Sequence, residues 1–411
     1  MSSNRSTLVS SILPGIFMVA YVIGTGSVTT MASAGASHGM TLLWTLVLAS
    51  LFTHIMFSAI SKVTVVSGRG ILSNFRDGFG APITACIILA MVITQVASLI
   101  GVMGIMSDVL REWSRPFTTS GEGIGRLPSA VALMLLLLWL FWNGRHELFL
   151  KAAAGLVAMM GLSFFLTASA VPPSPGDVLH GLVPSFPATG SPHLLVAGMV
   201  GTTLASVCLF SRSIVVLEKG WRPAELPIVY RDSLVAAILL LVMNAAIMAC
   251  AAGTLHDEGL PVERAIDMVR TLQPLAGPFA ATAFVVGILA AGLSSMFANM
   301  ILGPWMIADF FGYHRDLTAP GYRLLVLATA SVSLVIPVFG GSPVQIMIAS
   351  QAVSPLIMPL IALFTWLLLL KKGFSAGSPN SRWMNLGMAV TVLYTLYMLA
   401  IAVRGFLGAV R

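Results

Sequence analysis

Two short clusters of small and hydroxyl-bearing residues stand where a hydrophobic chain has least reason to carry them. Gly24-Thr25-Gly26-Ser27 interrupts the first long apolar run. Gly201-Thr202-Thr203-Leu204-Ala205-Ser206-Val207-Cys208 interrupts the sixth. If both runs cross a bilayer, the backbone groups freed at the interruptions must be met by protein, by water or by a bound solute. The chemistry on offer is that of hydroxyls, free carbonyls and half-helix ends, which hold ions and small polar solutes. One such cluster reads as close helix packing. Two in corresponding positions of two repeats read as a binding site at the membrane midplane.

The elements that carry these clusters follow from composition. The 411 residues are 57% apolar and 9% charged, with a mean hydropathy of +0.94. A water-soluble chain would have roughly a quarter of its residues charged, so this is an integral membrane protein lying in a lipid bilayer. Apolar runs of about 20 residues, the length that crosses a bilayer, predict eleven spans: 12–35, 41–63, 81–108, 128–143, 148–170, 194–217, 232–254, 278–311, 322–339, 343–370 and 384–408. No soluble domain is inserted, so residues 1–411 read as one transmembrane domain. The longest connections are 109–127, 171–193 and 255–277, the last with an amphipathic stretch at 262–272. The first run is too long and too glycine-broken for a signal-peptide core.

About two thirds of the 22 lysines and arginines fall on the side of the N-terminus, which predicts a cytoplasmic N-terminus and an outside C-terminus. Topology therefore accounts for the net charge of +7 without a nucleic-acid partner. Cys86, Cys208 and Cys250 show no metal-binding or disulfide spacing, and no motif calls for a cofactor. A membrane enzyme would need an HExxH motif, paired carboxylates or a His/Cys constellation. None is present in the sequence.

The chain resembles the NRAMP family of divalent-metal transporters, members of the LeuT-like fold. Leu13-Pro14-Gly15 resembles that family's entry into its first span. Ser33-Ala34-Gly35-Ala36 through Leu42-Leu43-Trp44 resembles the passage into the second. Asp232 to Asn244-Ala245-Ala246, Ala290-Ala291-Gly292-Leu293-Ser294-Ser295 and Ser350-Gln351-Ala352-Val353 to Pro359 are similar to the seventh, eighth and tenth. The resemblance implies an all-α fold of two inverted five-helix repeats, about 12–170 and 194–370, plus the helix 384–408, with spans one and six broken. It implies transport by alternating access in the plasma (inner) membrane.

The ligands that the resemblance implies are mostly replaced. The family's Asp-Pro-Gly-Asn at the first break is Gly24, Thr25, Gly26 and Ser27 here, and its Met-Pro-His-Asn at the sixth is Ala205, Ser206, Val207 and Cys208. The proton-route Asp and Glu of the third span become Gln95 and Ser98, and a sixth-span His becomes Arg212. Gln351 alone survives among the side-chain ligands. A pocket built from Gly24, Thr25, Gly26, Ser27, Ala205, Ser206, Cys208 and Gln351 has no formal negative charge, so it cannot strip the inner water shell from a hard divalent cation. Two substrates fit: a largely hydrated, Mg²⁺-like ion, which the family link favours, or a small organic or complexed solute held by half-helix ends. A membrane sensor or assembly subunit that kept the fold and lost transport is the alternative of a different class. Gln95, Ser98 and Arg212 replace titratable groups, so the pathway predicts no proton relay. Asp108, Asp232 and Asp309 read as helix caps or solvent-facing groups at span ends.

Overall fold

A computed structural model describes residues 24–143, 146–187, 192–256, 258–272, 279–312, 319–371 and 380–410. Among the described residues every regular element is helical. In chain order these are α1 (Thr25–His38), α2 (Leu43–Ser67), α3 (Ile71–Phe79), α4 (Ala81–Ser114), α5 (Arg126–Trp142) and α6 (His146–Ala170). There follow α7 (Pro175–Gly181), α8 (Pro192–Thr203), α9 (Ser206–Lys219), α10 (Leu226–Ala251) and α11 (Ala280–Phe311). The last are α12 (Pro320–Val332), α13 (Val335–Phe339), α14 (Pro343–Ala352), α15 (Ser354–Leu370) and α16 (Arg382–Val410).

Among the described residues, eight helical stretches are long and apolar enough to cross a membrane, with Pro192–Lys219 taken as one broken span. A ninth is counted if α6 and the 120° bend into α7 form one. The other two of the eleven expected spans are α5, apolar but 17 residues long, and the first, of which α1 is the described half. Residues 12–23 lie outside the described residues.

Both expected interruptions have a local cause. Gly24 is extended (φ −107°, ψ −167°), so α1 starts at Thr25 and not earlier. Ala205 is extended as well (φ −77°, ψ 133°) and separates α8 from α9. A third, milder discontinuity falls at Val353, between α14 and α15. There Pro355 has no N–H with which to continue the ladder.

Glycine sets how closely the helices around the breaks approach. A Cβ on Gly35 would stand 2.2 Å from the carbonyl oxygen of Met248, so α1 and α10 lie backbone to backbone. A Cβ on Gly201 would stand 1.9 Å from the carbonyl oxygen of Gln351, which brings α8 equally close to α14. Beyond α10 one turn of π-helix, Ala252–His256, carries His256 over the end of α1. Its Nδ1–H donates to the carbonyl of Ala36 (3.0 Å).

Two carboxylates inside the bundle, Asp232 and Asp108, are paired with arginines. Arg212 on α9 is fully buried. Its guanidinium bonds Asp232 on α10, Ser61 Oγ (2.8 Å), Ser233 Oγ (3.0 Å) and the Val229 carbonyl (3.3 Å). The rings of Phe57 and Trp221 lie 5.7 and 5.8 Å from it. Asp232 therefore neither caps a helix nor faces solvent, because an arginine in the membrane interior needs a counter-charge. Asp108 likewise is buried and paired with Arg126 (Nε to Oδ1, 3.0 Å). Asp309 accepts from Ser73 Oγ (3.3 Å).

Candidate functional site

A cavity of about 550 Å³, counting the space at its mouth, opens between the breaks. α1 contributes Gly26, and Gly24 lies just before it. α8 contributes Gly201 and Thr202, the link adds Ala205, and α9 adds Val207 and Cys208. α4 lends Thr94, Gln95, Ser98 and Val102, α11 lends Ser295 and Asn299, and α14 lends Met347 and Gln351.

Of the residues singled out from sequence, Gly24, Gly26, Ala205, Cys208, Gln351, Gln95 and Ser98 line this cavity. Thr25, Ser27, Ser206 and Arg212 do not. Thr25 Oγ1 turns toward α11, 3.2 Å from where a Cβ on Gly292 would be. Ser27 Oγ is spent on Thr202 Oγ1 (2.9 Å), a bond that ties the two broken helices together. The Ser206 amide donates to Ser354 Oγ (2.9 Å), which fastens the start of α9 to the start of α15. Arg212 sits in the ion pair with Asp232 described above. Lining residues that carry no sequence signal of their own include Thr94, Val102 and Met347. The first two lie one turn from Ser98, on the helical face that Gln95 and Ser98 mark. Met347 lies four residues before Gln351.

Gln351 is held by glycines from both broken segments. A Cβ on Gly26 would come within 2.8 Å of its Nε2, and Gly201 packs on its carbonyl. Opposite, Gln95 Nε2 donates to Asn299 Oδ1 (2.8 Å) and to the Asn299 carbonyl (3.2 Å), an uncharged bridge between α4 and α11. An amide pair of this kind has no proton to exchange near neutral pH.

The electrostatics come from helix ends, because among the described residues no carboxylate or ammonium lines the cavity. α1 begins at Thr25, and its Val28 N–H donates to the Gly24 carbonyl (3.2 Å). This end carries partial positive charge. The C-terminus of α8 offers carbonyls of opposite sign; that of Thr203 is taken by Thr53 Oγ1 (3.1 Å), while Gly201 and Thr202 face the cavity. Among the described residues no group of three or more His, Cys, Asp or Glu side chains could hold a metal ion. The donors in the cavity are amides, hydroxyls, carbonyls and the sulfurs of Cys208 and Met347.

A pocket between the opening of α1 and the break that separates α8 from α9, inside a multi-pass helical bundle, defines a membrane protein of the LeuT-like fold. The family model described as natural resistance-associated macrophage protein-like (Nramp) matches residues 15–404, and the chain belongs to that family. It is similar to the divalent metal cation transporter MntH of Erwinia tasmaniensis, 27% identical over 417 residues that cover 98% of this chain and 95% of that one. MntH of Klebsiella pneumoniae is 28% identical over 364 residues, 85% of this chain and 83% of its own. Among solved structures, the manganese transporter of Eremococcus coleocola superposes with a TM-score of 0.77 at 18% identity, covering 99% of this chain and 90% of that one. Mhp1, a nucleobase-cation-symport-1 family transporter, does so with a TM-score of 0.60 at 16% identity, over 97% and 90%. At such identities these two structures speak for the fold alone. The curated relatives are named as transporters and not as enzymes.

Proposed function

We propose that this chain carries a divalent metal cation across the plasma (inner) membrane, with the ion keeping most of its water shell inside the neutral cavity. The observation that carries the reading is the cavity lining itself, in which amides, hydroxyls and sulfurs are interspersed with apolar side chains and no carboxylate is present among the described residues. Hard divalent ions surrender inner-shell water to carboxylates and give it up reluctantly otherwise. Amides and hydroxyls of Gln95, Ser98, Thr202, Asn299 and Gln351 suit water-mediated contact. The MntH relatives supply the substrate class, and the paired breaks support alternating access about the cavity within a single domain of repeats 12–170 and 194–370. The basic-residue bias supports a cytoplasmic N-terminus and an outside C-terminus.

The positive end of the α1 helix favours a second reading, a small solute with an anionic group docked on that helix end. Uptake of Mn²⁺ and Mg²⁺ into liposomes holding the purified protein tests the main reading. Flux of either ion above empty liposomes is expected, lowered about tenfold by Gln351→Ala, the low end of what a metal site loses with a tuning residue. No divalent flux through the wild type would overturn it. Proton entry strictly accompanying the ion would overturn the further claim that Gln95 and Ser98 carry no proton relay.

A further inference from the structure

Sulfur is the donor class in this cavity that separates divalent cations of equal charge, and it enters from an unforeseen side. Met347 lies on α14, one turn before Gln351. It lines the cavity yet is 1% exposed. Its Sδ is 4.0 Å from Nε2 of Gln351 and 3.7 Å from Oγ of Ser350. Two glycines from different helices make room for the thioether. A Cβ on Gly101 of α4 would stand 2.7 Å from Sδ and 3.0 Å from the Met347 Cα. One on Gly26 of α1 would stand 3.0 Å from the methyl carbon. The side chain is therefore threaded between α4 and the start of α1, against the glutamine that the sequence marks as a ligand. A leucine fills nearly the same volume. What methionine adds there is a polarisable lone pair, and thioethers select softer metals over hard ones such as Mg²⁺ and Ca²⁺.

We propose that Met347 is a specificity-determining residue whose Sδ, beside Gln351, replaces one water of the transported cation and so favours soft divalent ions over Mg²⁺. The proposal rests on the divalent-cation reading above. It adds a single direct contact to an otherwise hydrated ion and involves no covalent or redox step.

The test compares Cd²⁺ and Mg²⁺ uptake into liposomes by wild type and Met347→Leu. Cd²⁺ flux is expected to fall more than Mg²⁺ flux, so that their ratio drops about tenfold. An unchanged ratio, whether both fluxes persist or both fall together, would mean the side chain only packs and would overturn the proposal. Wild type that moves neither ion would overturn the divalent reading underneath, and this inference with it. Protein that keeps Met347 gives an independent readout should the leucine variant not fold. X-ray absorption of Cd²⁺ bound at one equivalent to Cys208→Ser protein should show a sulfur neighbour. An all-oxygen shell there would refute the contact.

Discussion

Replacing Asp232 by asparagine leaves the shape of the α9–α10 contact intact and removes its negative charge. Arg212 keeps its bonds to Ser61, Ser233 and the Val229 carbonyl, but its guanidinium, with no exposed side-chain surface, loses its counter-ion. Breaking one side of a buried ion pair costs about 3–5 kcal/mol, against a total stability on the order of 5–15 kcal/mol. At about 1.4 kcal/mol per factor of ten, the folded fraction relative to unfolded falls by between roughly a hundred and several thousand. Removing both charges with apolar residues of similar volume, as in Arg212→Met with Asp232→Leu, restores most of the loss because no unpaired charge is then left at this contact. The assay is equilibrium unfolding in detergent of Asp232→Asn together with the four proteins of the Arg212→Met, Asp232→Leu double-mutant cycle. A coupling energy above about 2 kcal/mol is expected for groups sharing one buried network. Asp232→Asn protein as stable as the wild type would refute the reasoning, since it would mean that Arg212 has water or another anion beside it.

Two further outcomes follow from geometry and titration. Gly201→Ala forces a methyl to within 1.9 Å of the Gln351 carbonyl oxygen, so α8 and α14 must part. Overpacking of this kind costs about 1–3 kcal/mol, and liposome uptake should drop with it while the protein stays monodisperse. His38, at the end of α1, has its pKa held below the usual histidine value, first by burial and then by the nearby His256. The unfolded chain thus takes up a proton at a higher pH than the folded one. Stability from this site is complete well above pH ~6.5 and is lost as the pH falls below it. The hydrogen-exchange protection factor at the α1 terminus should fall on acidification in the wild type and lose that dependence in His38→Gln. Equal acid sensitivity in both would move the effect elsewhere.

What could be seen in the sequence, and what could not, divides along physical lines. The interruptions at Gly24 and Ala205 were visible because glycine and hydroxyl clusters are conspicuous in hydrocarbon, and both chain segments are extended there. Gln95, Ser98 and Gln351 reach the cavity because each belongs to a continuous helical face. The hydroxyls of Thr25, Ser27 and Ser206 sit at the breaks but are turned toward Gly292, Thr202 and Ser354, and that rotation depends on neighbouring helices far along the chain. Spacing alone does not pair Arg212 with Asp232, because 20 residues and a change of helix separate them. Met347 is one of 23 scattered methionines. Its position became meaningful only once Gly26 and Gly101, remote from it and from each other, were seen to flank it. The amphipathic helix α3 was missed for a simpler cause: nine residues are too few to register as a span.

The contact between Gly35 and the Met248 carbonyl gears α1 to α10. Where only a hydrogen atom fits, one helix cannot slide or tilt without taking the other, and the His256–Ala36 bond carries the π-helical turn along as well. Whatever displacement α1 undergoes is therefore shared by a second whole segment, and bending has to be absorbed at its opposite end. That end is Gly24, where the backbone is already extended.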